Sequence, residues 1–252
     1  MKYKLLPLML TLLLACCTTQ AQIQWKWTPV TIDSTFDDIR DLRATQIIAK
    51  YDPQVAPLQE IVAYSQDEYD KGRPESGLSN FAADVIYSIA EQRTGRNMDI
   101  AMTNFGGIRT SLPKGAVRVY DIFSIFPFNN SLVVFDIKGS DLHAFLDRMI
   151  GRGRVECLSG VEIEIRNRKA TKLNVAGAPI DDSKVYTFAT INFLMDGGDG
   201  VTLTDMAFNL EDTGIWVRDA ICDYLRDLTA RGETLTLAPD GRIKDHDRKE
   251  RR

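Results

Sequence analysis

Histidine is almost missing from this chain of 252 residues: only His143 and His246 occur, against 35 Asp and Glu. Hydrolytic centres of the two-metal kind draw on several converging histidines and carboxylates, so none is expected within this sequence. Basic blocks are lacking too. The formal net charge is −4, and the one Lys/Arg-rich run, 242–252, is diluted by Asp245, Asp247 and Glu250, which argues against a nucleic-acid backbone as partner. Cysteine is scarce at four residues, Cys16 and Cys17 at the end of the leading segment and Cys157 and Cys222 in the body. That excludes a disulfide framework and leaves two readings of the pair: one bridge, or buried free thiols. Neither lies near a His in sequence, so a thiol nucleophile is not suggested. The longest apolar run, Leu5–Leu14, is too short to span a bilayer as a mature helix. Internal repeats, low-complexity segments and long linkers are absent.

What is present is a composition that can build a sizeable core: 44% hydrophobic, 26% charged and 9% aromatic residues. Lys2 and Lys4 ahead of Leu5–Leu14 read as an export signal over residues 1–15. It ends in Leu13-Leu14-Ala15-Cys16, which looks like a lipobox and makes Cys16 the expected site of lipidation. Cleavage after Thr19-Gln20-Ala21 is the competing reading. Residues 16–41 are expected to form a tether with a leading strand over Ile23–Ile32, and Asp37–Lys50 and Val55–Ser65 to be helices broken at Asp52-Pro53. Leu78, Phe81, Ala82, Val85, Ile86, Ile89 and Ala90 form one apolar stripe behind a Ser76 cap. Strands are expected over Asp99–Thr103, Ser131–Ile137 and Val185–Ile191, with a hairpin joining Val161–Arg166 to Thr171–Val175. Further helices are expected after Ser140 and over Ile215–Arg231, and a frayed charged tail over 241–252. Interleaved helices and hairpins imply an α+β (mixed α/β) fold: a single domain, with a mixed sheet packed by helices.

Four loops carry the chemistry. Glu75-Ser76-Gly77-Leu78-Ser79-Asn80 opens the main helix. In Asn104-Phe105-Gly106-Gly107-Ile108-Arg109, paired glycines allow close backbone approach to an anion, and the Arg can fork onto phosphate oxygens; a purely structural turn is the alternative. Phe128 in Phe126-Pro127-Phe128-Asn129-Asn130 can stack on a flat base while amides read its edge, or it can simply be core. Phe193-Leu194-Met195-Asp196-Gly197-Gly198-Asp199-Gly200 places an aromatic and a carboxylate around a glycine turn. It lacks the ligand spacing and distal Glu of an EF-hand.

In this order the four motifs resemble the C-terminal domain of the 5′-nucleotidase family, which includes periplasmic UDP-sugar hydrolases and ecto-5′-nucleotidases. The resemblance runs over residues 42–240. It implies a substrate-specificity pocket in which Phe128 and Phe193 sandwich the base. Asn104 and Asn130 would contact the base, Arg109 the phosphate or ribose, and Asp199 the ribose, with Gly106, Gly107 and Gly198 completing the substrate-binding set. Arg73 is a further candidate, shifted in register from the family's additional arginine. Full-length relatives place a dimetal phosphoesterase domain first, with Asp-x-His and Gly-Asn-His motifs. Here Asp141-Leu142-His143-Ala144 falls on an expected helix and His246 in the tail, so both histidines read as surface or cap residues. The resemblance therefore implies the nucleotide-binding half of a split 5′-nucleotidase, inactive alone, with no cofactor in this chain and divalent metals in a separate metallophosphoesterase partner. The chain would be exported and anchored to the cell envelope by an N-terminal lipid. The alternative is a nucleotide- or nucleoside-binding lipoprotein without chemistry.

Overall fold

Ser76 starts the main helix as expected. Its Oγ accepts the Ser79 N–H (3.2 Å), while the Ser79 Oγ accepts the Ser76 N–H (2.7 Å). This reciprocal cap satisfies two otherwise orphaned donors. The computed structural model describes residues 25–31 and 41–248, and the chain divides between Lys50 and Tyr51 into two units. The signal and Cys16 lie outside the described residues. Residues 25–31 are irregular and exposed, so the expected leading strand is not formed there; a strand needs a neighbour to take its ladder hydrogen bonds. Helix α1 (Leu42–Val55) runs two residues past Pro53, where a break was expected.

The larger unit then carries β1 (Ile61–Ser65), α2 (Gly77–Thr94), β2 (Ile100–Thr103), β3 (Gly115–Arg118), α3 (Val119–Ile125), β4 (Ser131–Lys138), α4 (Gly139–Gly151) and β5 (Cys157–Ser159). After these come β6 (Val161–Arg166), β7 (Lys169–Val175), β8 (Ala178–Pro179), β9 (Val185–Ile191), α5 (Asn192–Met195), β10 (Ala207–Trp216), α6 (Val217–Ala230) and β11 (Ile243–Asp245). A five-stranded mixed sheet in the order β10-β4-β9-β2-β5 forms the centre, with β9 and β2 parallel and the other pairs antiparallel. Residues 131–135 of β4 and 188–191 of β9 are buried without alternation, so both faces of this sheet are covered. Phe135 stacks on Phe188 at 5.0 Å, and Phe145 of α4 meets Phe188 edge-on at 6.4 Å. Smaller sheets pair β1 with β3 and align β11-β6-β7-β8.

Several expectations are corrected. Ile61–Ser65 is strand, not helix, because its apolar side chains pair with β3 and pack under α6. The helix expected behind Ser140 begins at Gly139: the first amides donate to the carbonyls of Lys184 (2.7 Å) and Asp182 (3.2 Å), so no side-chain cap is needed. Ile215 and Trp216 end β10 rather than starting the last helix. The charged tail does not fray at its start. Ile243–Asp245 adds a parallel strand beside β6, and the Asp247 carboxylate accepts the N–H groups of Asn167 and Arg168 at 2.7 Å each. Cys157 and Cys222 are both free and buried, which decides for the thiol reading.

Candidate functional site

Strand β2 delivers Asn104 to the sheet's end, where the chain turns tightly. The Gly107 N–H donates to the Asn104 carbonyl (3.0 Å) and the Ile108 N–H to that of Phe105 (3.3 Å). The Lys71 ammonium gathers the Phe105 carbonyl (3.2 Å) and that of Ile108, fixing the turn from outside. The Asn104 amide nitrogen donates to Asp199 Oδ2 at 2.6 Å, while its Oδ1 is buried without a partner among the described residues. An unmet buried acceptor costs about 1–3 kcal/mol, which makes this oxygen a natural place for a ligand's donor. A Cβ on Gly107 would stand 2.7 Å from that Oδ1, so a larger residue there has to displace the Asn104 side chain.

Arg109 is exposed, its Nη1 3.3 Å from the Gly106 carbonyl and its guanidinium 5.9 Å from the centre of the Phe128 ring. Phe128 is 48% exposed and Phe193 41%. Burying a Phe fully gains about 1.5–3 kcal/mol, so each ring leaves a substantial part of that gain unused. The Phe193 ring lies so close to Gly198 that a Cβ there would sit 2.4 Å from it. Asn192 Oδ1 accepts the N–H of Phe193 (2.9 Å) and of Ser131 (3.1 Å), tying the Phe193 turn to the residue after Asn130. Asp199 itself is held at φ 54°, a left-handed conformation that Asp tolerates better than most side chains.

Thr103, Gly107, Phe126, Phe128, Asn130 and Arg218 line one cleft. The Arg218 guanidinium covers the Phe123 ring at 3.8 Å and donates to the Pro127 carbonyl (3.4 Å) and to Asn129 Oδ1 (2.9 Å), bracing the loop that presents Phe128. Of the expected residues, Gly107, Phe128 and Asn130 line this cleft; Asn104 abuts Gly107, and Arg109 bonds the Gly106 carbonyl with its guanidinium 5.9 Å from the Phe128 ring. Asp199 is joined to them through Asn104, and Phe193 and Gly198 pair on the loop that holds Asp199. Arg73 does not line this cleft: its Nη2 donates to both oxygens of the buried Glu156 (3.1 and 3.2 Å), it reaches the Val155 carbonyl, and it covers the Phe105 ring at 3.9 Å. Glu156 also accepts the Phe105 N–H at 2.8 Å. The Glu75–Asn80 motif is scaffold, with Glu75 accepting from Asn80 (3.0 Å) and from the Gly241 N–H (2.7 Å). Lys71, Glu156, Asn192 and Arg218 escape sequence reading because each acts on a loop distant in sequence; a lone Glu within the apolar run Val155–Leu158 is the one local hint.

A depression of about 480 Å³ lies apart from the cleft above, between the β6–β7 hairpin and Gly241–Lys244. Its charges satisfy one another, with Lys172 on Glu162 (2.6 Å) and Lys244 near Glu164 (3.8 Å), so we place no function there. Burial pushes the Cys222 thiol up to about 11 and that of Cys157 higher still. Neither is a nucleophile. Among the described residues no group of three or more His, Cys, Asp or Glu side chains converges to hold a metal ion, and no helix is long and apolar enough to cross a membrane. His143 sits instead beside Asp182 (3.0 Å) and Asp147 (3.9 Å) on the α4 surface.

The mixed α+β fold and its loop arrangement are those of a substrate-recognition domain. Residues 55–206 match the model of the 5′-nucleotidase, C-terminal domain, and the chain belongs to that family. It is 28% identical over 141 residues to Protein UshA of Yersinia enterocolitica, covering 54% of this chain and 26% of that protein. It is 28% identical over 186 residues to the trifunctional nucleotide phosphoesterase protein YfkN of Bacillus subtilis, covering 68% and 12%. The solved 5′-nucleotidase precursor from Thermus thermophilus superposes with a TM-score of 0.69 at 27% identity, covering 82% of this chain and 43% of that one. The chain therefore spans less than half the length of the relatives it matches.

Proposed function

We propose that this chain is the nucleotide-recognition half of a 5′-nucleotidase, and that it presents nucleoside 5′-phosphates to a metallophosphoesterase carried on a separate polypeptide. The observation that supports this best is two half-exposed rings, Phe128 and Phe193, on loops tied to one scaffold: Asp199 of the Phe193 loop bonds Asn104, and Asn192 bonds the N–H of Ser131, next to Asn130. In this reading a base stacks between the two rings, which tolerates any base because each has a π-face. The Asn130 amide and the unpaired Asn104 Oδ1 read the base edge. Asp199 accepts from a ribose hydroxyl, and Arg109 faces the 5′-phosphate. The partner's metals supply the hydrolytic chemistry; the residues of this chain bind and orient the nucleotide. We further propose that the chain is exported and tethered by a lipid on Cys16. Loss of fatty-acid incorporation in Cys16→Ser would confirm the anchor, and unchanged incorporation would remove it.

Calorimetric titration with AMP, with and without divalent metal, followed by assay of released phosphate, tests the central reading. Metal-independent binding without release is expected. Phe193→Ala should weaken that binding by about 1–3 kcal/mol through lost stacking. Phosphate release by the purified chain alone would overturn the split assignment. Binding of adenosine as tight as AMP would favour the alternative of a nucleoside-capture lipoprotein.

A further inference from the structure

Arg148, Arg152 and Arg154 lie at and just beyond the C-terminal end of α4, and all three side chains are exposed. Together they line a second cleft, whose far wall is Asp199, Gly200 and Thr202. Arg148 donates to Thr202 Oγ1 at 2.9 Å, and Arg152 Nη1 lies 3.4 Å from the Gly200 carbonyl, so two of the guanidiniums are drawn toward the loop that presents Asp199. None of the three has a carboxylate partner among the described residues, whereas Arg73, Arg96, Arg226 and Arg242 each have one. Glu156 also lines this cleft, but its charge is met by Arg73. Set against the Asp199 carboxylate and the roughly half-unit negative charge at a helix C-terminus, three guanidiniums leave a net positive charge of about one to two.

Asp199 connects the two clefts. Its carboxylate is bonded to Asn104, whose other amide atom abuts Gly107 in the Phe128 cleft, and Asp199 itself walls the arginine cleft. A group bound at Asp199 therefore stands at the wall of the cleft that the three arginines line. Building on the nucleotide reading above, we infer that Arg148, Arg152 and Arg154 form an anion subsite for a second phosphate on the ribose 2′ or 3′ oxygen. The preferred ligand class is then a nucleoside bisphosphate rather than a simple 5′-monophosphate. Arginine suits this role, since its planar fork matches phosphate oxygens and it stays charged at any working pH. The hydroxyl left unphosphorylated remains free to donate to Asp199.

The full chain titrated with AMP and with adenosine 3′,5′-bisphosphate tests the inference. The bisphosphate should bind at least tenfold more tightly, with an advantage that shrinks as salt is raised. The R152A/R154A double variant, altered only at exposed positions, should lose that advantage while its AMP affinity changes less than twofold, and R152K/R154K should restore part of it. Equal affinity for the two nucleotides in the unaltered chain would overturn the subsite and leave the nucleotide site standing. A double variant weakened equally toward both ligands would mean that the arginines read the 5′-phosphate, which also overturns it. Failure to bind AMP at all would refute the underlying nucleotide reading, and this inference with it.

Discussion

The Asn104 amide donates to the Asp199 carboxylate at 2.6 Å, joining loops 95 residues apart in sequence. One loop leaves the central sheet at β2 and the other follows α5, so this bond fixes the Asn104 loop against the loop that carries Phe193 and Asp199. Its geometry rests on Gly107, where any Cβ would fall 2.7 Å from Asn104 Oδ1. Gly107→Ala should therefore push the Asn104 side chain out of place and weaken AMP binding at least tenfold. Because the clash is with the end of one side chain and not with backbone, the melting temperature should move by only a few degrees, in line with a cost of about 1 kcal/mol. Thermal melts beside calorimetry separate the two effects; a large melting shift with intact affinity would show that the glycine serves the fold instead.

Arg109 is a charged group of the cleft with no carboxylate partner among the described residues, and its guanidinium leans toward Phe128. A phosphate should exploit that freedom, and a nucleoside cannot. Arg109→Ala is expected to weaken AMP by about 1.5–3 kcal/mol, the range for hydrogen bonds to charged groups, and adenosine by much less. Equal losses for both ligands would move Arg109 from the phosphate to the base or ribose.

Much of this arrangement can be read from local pattern. The stripe from Leu78 to Ala90, the strands Ser131–Lys138 and Val185–Ile191, and the β6–β7 hairpin announce themselves because their periodicity and turn residues lie within a few positions of one another. Strand β10 does not. It carries Asn209, Glu211, Asp212 and Gly214, is largely exposed, and becomes a strand only because β4 offers an edge to pair with. The same holds for β1, which needs β3, and for β11, which needs β6. In the site, the glycine loops and their aromatic tips are legible, since close backbone approach demands glycine whatever the neighbours are. The braces are not legible. Arg218 reaches Asn129 from 89 residues away, Arg73 reaches Glu156 from 83, and no spacing rule spans such distances.

The two body thiols offer a check on packing. Cys157 on β5 and Cys222 on α6 are buried, and burial raises both thiol pKa values, that of Cys222 to about 11. At pH 8 each is then almost wholly protonated as well as shielded. Mass-spectrometric mapping after treatment with a thiol reagent should find both unmodified in the native chain and both labelled in denaturant. Rapid native labelling of Cys157 would mean that β5 opens locally from the sheet edge.

Arg242 fastens the C-terminal segment to the main helix. Its guanidinium donates to Asp84 (2.6 and 2.9 Å), to Asp240 (2.6 Å) and to the Leu158 carbonyl (3.0 Å), and its side chain is only 14% exposed. The hydrogen bond from Arg242 holds the Asp240 carboxyl below the ordinary carboxylate range. A carboxyl with a lowered folded-state pKa contributes stability that is present above its unfolded value of about 3.9 and is lost as pH falls through the folded value. Arg242→Met should thus destabilise the chain by about 1–3 kcal/mol at pH 7, the cost of breaking charged hydrogen bonds at a partly buried site. Below about pH 4 the gap between variant and parent should narrow, because the stability carried by ionised Asp240 in the folded parent is lost as pH falls from the unfolded value of about 3.9 toward the lowered folded one. Urea midpoints for the two chains at pH 7 and pH 3 measure this directly. A gap of the same size at both pH values would show that Arg242 acts through the packing of its stem rather than through its charge.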